Sequence, residues 1–84
     1  MSSIEKLKKK LKSRPKTFDF HDARRILEYA GYQEDKSGKT SGSRVRFESK
    51  NGVSFVLHKP HPDSVLKAYN IRFLADLLER EGKL

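Results

Sequence analysis

The sequence contains no cysteine. That excludes a disulfide framework, a thiolate metal site and a cysteine nucleophile. No apolar run comes near the roughly 20 residues that a membrane-spanning helix needs. The N-terminus is basic but has no apolar segment behind it, so a secretory signal is not expected. These absences agree with a cytoplasmic protein that does not enter a membrane. Neither a Walker loop nor a dinucleotide fingerprint is present, and no Ser-His-Asp spacing stands out, so no cofactor is expected. Length is also scarce. Eighty-four residues make one domain with a modest core and little room for an internal active-site cavity. Any chemistry belongs on an exposed sheet face or a loop.

Acidic residues are few as well. Nineteen Lys and Arg stand against eleven Asp and Glu, for a net charge of +8. Polyanions are the natural partners of such a chain: nucleic acid, an anionic membrane surface or an acidic protein. The excess is unevenly spread. Residues 1–16 hold seven basic residues and one acid, Glu5, a net of +6. Residues 17–84 hold twelve basic residues and ten acids, a net of only +2. The chain therefore divides into a basic N-terminal helix or arm, residues 1–16, and a domain, residues 17–84, whose affinity for polyanions must come from local clustering.

Ser2 or Ser3 can cap a short helix running to about Ser13. Its apolar stripe is thin, consisting of Ile4, Leu7 and Leu11. It is open between a solubilising arm, extra phosphate affinity and a membrane-surface helix, the last poorly served by three aliphatics and no aromatic. Arg14-Pro15 ends it. A second helix starts after Asp19 as N-cap, with Asp22 in its first turn. It buries Ala23, Ile26, Leu27 and Ala30 and stops at Gly31. Its Arg24 and Arg25 read as a wet face or as contacts to a nucleic-acid groove.

Residues 32–36 read as a first strand, followed by a polar loop through residue 42. Residues 43–48 alternate: Val45 and Phe47 point one way, Arg44 and Arg46 the other. Asn51-Gly52 signals a hairpin. Val53, Phe55 and Leu57 continue the apolar face, with Ser54, Val56 and His58 opposite. Pro60 and Pro62 end that strand. The last helix covers residues 68–81, with a core stripe of Ile71, Leu74, Ala75 and Leu78 broadened by Phe73 and Leu77, and Gly82 stops it. The expected fold is α+β: a two-layer α-β-β-β-α sandwich with an extra short basic N-terminal helix, both main helices covering the Val45/Phe47/Phe55/Leu57 side. The other side stays in water.

That open face is the first candidate site. Arg44 and Arg46 share one strand, and His58 ends its neighbour on the same side. Lys39, Lys50 and Lys59 flank them. Arginine forks match phosphate oxygens bidentately. The loop bracketed by Gly38 and Gly42 can offer backbone N–H groups to a phosphate. The plain alternative is that the solvent side of any strand is polar. His58 and His61 add acid–base capacity near neutral pH. Cutting RNA needs a base for the 2′-hydroxyl proton, an acid for the leaving oxygen and a cation for the phosphorane. His58, His61 and Arg44 are the residues available for those roles; otherwise the histidines simply cap strand ends. A metal site from His58, His61 and His21 lacks a carboxylate and a helical spacing, so no metal is expected.

Four segments in order resemble the HicA-type (YcfA-like) toxins of bacterial toxin–antitoxin systems. They are Ile26-Leu27-Glu28-Tyr29-Ala30-Gly31-Tyr32, Gly42-Ser43-Arg44-Val45-Arg46-Phe47, Leu57-His58-Lys59-Pro60-His61-Pro62 and Ile71-Arg72-Phe73-Leu74. The resemblance spans about residues 17–84. It implies a fold similar to double-stranded RNA-binding domains. It also implies an mRNA interferase, an endoribonuclease that blocks translation and is neutralised by a HicB-type antitoxin. The family pattern is Gly-Ser-His, with the histidine needed for cleavage. Here Gly42 and Ser43 match, but Arg44 follows. Arginine stays protonated and cannot act as a base. RNA binding through Lys39, Gly42, Ser43, Arg44, Arg46, Lys59 and His61 survives that change, and His58 is the candidate to replace the base. The alternative is a non-catalytic RNA-binding or protein-interaction module on the same fold.

Overall fold

The computed structural model describes residues 3–35, 44–58 and 65–84. Three helices and five strands follow one another: α1 (Ser3–Lys12), β1 (Phe18–Asp19), α2 (Phe20–Tyr29), β2 (Tyr32–Asp35), β3 (Arg44–Ser49), β4 (Ser54–His58), β5 (Val65–Leu66) and α3 (Ala68–Arg80). Strands β2, β3 and β4 form an antiparallel meander with β3 in the centre. Helices α2 and α3 cover one side of it. This is the expected two-layer α+β architecture, consistent with the fold of double-stranded RNA-binding domains.

The helix ends obey local chemistry. The Asp19 carboxylate accepts a hydrogen bond from the His21 N–H at 2.7 Å, satisfying one orphan donor of α2. At the end of α3 the Lys83 N–H reaches the Leu78 carbonyl and the Gly82 N–H reaches that of Glu79. This paired closure needs a left-handed residue, and Gly82 supplies it at φ +72°.

The β3–β4 hairpin differs from a simple two-residue Asn51-Gly52 turn. The Gly52 N–H bonds the Ser49 carbonyl, and the Ser49 N–H bonds that of Val53. Residues 50–52 therefore make a three-residue loop, with Gly52 at φ +87° in the left-handed position such loops require. The apolar pattern selects this turn. A two-residue loop would pair Lys50 with Val53 and set Val45 opposite His58, mixing the two faces. The longer loop instead pairs Phe47 with Phe55, Val45 with Leu57 and Arg44 with His58. Val53 does not join the apolar face as expected. It lies between the loop and β4 and is exposed.

Phe47 and Leu57 are fully buried beneath Ile26, Leu27, Ile71, Leu74 and Leu78, with Val45 and Phe55 partly buried at the margin. Phe55 stacks on Tyr32 and Phe47 at ring-centroid distances of 5.4 and 5.8 Å. Leu77 is buried as expected, but Phe73 is 42% exposed. Its ring meets only the edge of the core, edge-on to Phe55 at 5.4 Å.

Two features go beyond the sequence pattern. Strands β1 and β5 pair antiparallel, Phe18 with Leu66 and Asp19 with Val65, tying together the segments that enter α2 and α3. The basic helix α1 packs on those same two helices, and its Leu11 is fully buried in the common core. Beyond it Arg14 takes φ +52°, a strained value for a residue with a side chain. Its guanidinium is held by Asp76 and Glu79 of α3, the latter at 2.9 Å, and donates to the Lys12 carbonyl.

Candidate functional site

Alternation along β3 decides which side chains face water. Val45 and Phe47 turn to the helices, so Arg44, Arg46 and Glu48 project from the other side, and all three are exposed. On β4 the same rule exposes Ser54, Val56 and His58. The register then builds the face in rows. Arg44 stands directly opposite His58, Arg46 lies between Asp35 of β2 and Val56 of β4, and Glu48 lies between Gln33 and Ser54. Directly opposed residues in an antiparallel pair have Cβ atoms about 5 Å apart. Arg44 and His58 therefore share one small patch at one end of the sheet. Because β3 is the central strand, Arg46 is carried on backbone paired on both sides, and Arg44 on backbone paired with β4.

The face is polarised along the strands. One end carries Arg44, Arg46 and His58, with Asp35 opposite Arg46, and the hairpin end carries Glu48. A cleft of about 380 Å³ opens from that second end along β2, lined by Gly31, Gln33, Glu34, Asp35, Glu48, Ser49 and Lys50, and Asp35 carries it to the row of Arg46. Its three carboxylates against one lysine suit it poorly to a phosphate. Lys50 thus belongs to the acidic end, away from the arginines it was expected to flank. Asp35 is the residue that sequence reasoning missed. It faces Arg46 across β2 and β3, and a four-residue strand offers too short an alternation to reveal that from sequence.

Lys39, Gly42, Ser43, Lys59 and His61 lie outside the described residues, as do the loop bracketed by Gly38 and Gly42 and the two prolines after His58. Arg44, Arg46 and His58 are the expected site residues that the structure describes, and it brings them together. Arg24 is not free for a ligand: its guanidinium meets Glu34 at 3.4 Å and Glu28 at 3.9 Å, fastening α2 to β2. His21 sits in the first turn of α2, its ring against Phe20. Among the described residues no three His, Cys, Asp or Glu side chains gather into a metal-binding group, and no helix is long and apolar enough to cross a membrane.

The titratable groups that do shift are structural. Burial, helped by the hydrogen bond that the Tyr32 hydroxyl donates to Glu81 at 2.7 Å, pushes the Tyr32 phenol up to about 12. Glu79 is held below the ordinary carboxylate range, first by its hydrogen bond from Arg14. Both lie on the helical side and anchor chain ends rather than serve the open face.

What this surface can do follows from its groups: two guanidinium forks for phosphate oxygens and an imidazole beside one of them for proton transfer. No curated protein and no solved structure matches the chain significantly. A family described as "HicA toxin of bacterial toxin-antitoxin" matches residues 20–76. The match begins with α2, takes in the three-stranded sheet with Arg44, Arg46 and His58, and runs into α3, leaving α1 outside. Since it covers well over half of the chain, the chain belongs to the HicA toxin family of bacterial toxin–antitoxin systems.

Proposed function

We propose that this chain is an RNA-binding toxin that holds the phosphodiester backbone between Arg44 and Arg46 and uses His58 as the general base of cleavage. The observation that carries the reading is the register that sets Arg44 directly opposite His58. Where the family pattern has histidine, Arg44 gives up proton transfer and keeps phosphate binding. The imidazole directly across the strand pair restores a group that can take the 2′-hydroxyl proton. The 2′-oxygen then attacks phosphorus, Arg44 and Arg46 offset the charge of the phosphorane, and the 5′-oxygen leaves, taking a proton from solvent. Gly42, Ser43, Lys39, Lys59 and His61 are proposed as further RNA contacts. Toxins of this family pair with antitoxins, and a HicB-type antitoxin covering the same face is the proposed partner.

Incubation of a labelled mRNA with the purified chain tests this. Shortened products with the native chain and none with His58→Ala are expected. Equal cleavage by both ends the claim of His58. A second reading is favoured by Arg44 itself, a residue that binds without cutting. It expects the mRNA to remain intact, with salt-dependent binding lost on Arg44→Glu or Arg46→Glu.

A further inference from the structure

Most of the net charge is not on the open face but on α1 and the residues just after it. The structure changes what that charge can be. Leu11 is fully buried, Ile4 and Leu7 are half-buried, and Arg14 is clamped to α3 by Asp76 and Glu79. Lys8 lies over the Tyr29 ring at 5.2 Å and Lys10 over that of Phe18 at 5.5 Å. The helix is thus one fixed part of the surface, and its outward lysines are held in place with it. Lys6, Lys9 and Lys12 are all exposed. Spaced three residues apart, they form one oblique stripe about 9 Å long at 1.5 Å per residue. None enters an ion pair among the described residues. Lys12 adds weakly to Arg14 in depressing Glu79. Lys16 continues the charge beyond the helix, and Glu5 is the one acid on α1.

We infer that the Lys6/Lys9/Lys12 stripe is a second RNA-backbone site, on the helical side of the domain and separate from the Arg44/Arg46/His58 face. Three observations choose among polyanions. The apolar stripe of α1 is turned into the core, so the helix has nothing left to insert into a lipid surface. The stripe consists of lysines with no aromatic or arginine anchor, a composition that protein interfaces avoid. Lysines serve well as point charges for phosphates whose order along a strand is not read. Since α1 packs on α2 and α3 while the arginines project from the opposite side of the sheet, a partner covering the open face leaves the stripe accessible. The inference depends on the RNA-binding reading only in naming RNA as the polyanion.

The test is the salt dependence of fluorescence anisotropy, with the full chain and a labelled single-stranded RNA. Each neutralised phosphate contributes about 0.7 to the slope of log affinity against log salt for single strands. The Lys6→Gln/Lys9→Gln/Lys12→Gln variant, with helicity checked by circular dichroism, is therefore expected to lose about 2 from the slope. Glu5→Gln is expected to lose nothing. A slope unchanged in the lysine variant but reduced in Arg44→Gln/Arg46→Gln overturns this inference and leaves the first site standing. The reverse result sustains the stripe and removes the first site. Loss of binding to phosphatidylserine vesicles, with RNA binding unaltered, assigns the stripe to lipid and also overturns it.

Discussion

Replacing Leu11 by alanine removes a side chain with no exposed surface from a helix that lies outside the family-matched segment. Buried Leu→Ala changes cost about 2–5 kcal/mol, the spread reflecting how far the site can collapse. Helix α1 lies at the periphery and can settle partly into the gap, which favours about 3 kcal/mol. A chain of this length has a total stability of about 4–13 kcal/mol at the usual 0.05–0.15 kcal/mol per residue. The loss is therefore a large fraction of the whole. Each kcal/mol moves the midpoint by about 4–8 °C in a domain of this size, so Tm should fall by about 12–24 °C. A thermal melt followed by circular dichroism reads this directly. Leu7→Ala, at a half-buried position, should give a smaller fall. A shift below about 2 °C for Leu11→Ala would mean that α1 contributes no core and would refute the argument that it is fixed to the domain.

Other consequences follow from the two anchored chain ends. The Tyr32 phenol is raised from its ordinary 10.0 to about 12. The folded state thus holds that proton more tightly, and the associated stability, complete below pH 10, is lost as pH rises toward 12. Tyr32→Phe should remove that alkaline component, visible as a flatter Tm profile between those pH values. Glu79 has the opposite sign, its folded pKa being depressed by Arg14. Its contribution is present above the ordinary carboxylate pKa and is lost on acidification through the lowered value. Arg14→Ala should therefore weaken the acid limb of the stability profile, measured as Tm between about pH 7 and about pH 3.

The sequence revealed most where periodicity was long or a cap was chemically specific. Asp19 and Gly31 bounded α2, and the alternation of Arg44, Val45, Arg46 and Phe47 sorted the two faces of β3. That alternation also placed His58 beside the arginines, although the hairpin reached the register through a three-residue loop. What stayed hidden was local in sequence but distant in cause. Two-residue strands such as β1 and β5 have no period to detect, and their pairing rests on burial of Phe18 and Leu66. The ion pairs of Arg14 join residues more than sixty positions apart. Leu11 looked like part of a thin stripe on a marginal helix, because only the grooves of α2 and α3 make it core. Phe73 showed the reverse: its place on a helical apolar stripe suggested burial, yet it sits past the edge of the sheet. Asp35, opposite Arg46, was obscured by the shortness of β2.

The central claim is that the arginine pair on the open face is the phosphate site. Its most direct measurement is the affinity of Arg44→Gln/Arg46→Gln for single-stranded RNA at fixed salt, against the native chain. Each substitution removes one charge-assisted hydrogen bond to phosphate. At about 1.5 kcal/mol apiece, the low end for hydrogen bonds to charged groups, the pair predicts binding weaker by about a hundredfold or more. Affinity within about twofold of the native chain, with the fold intact, would contradict the claim.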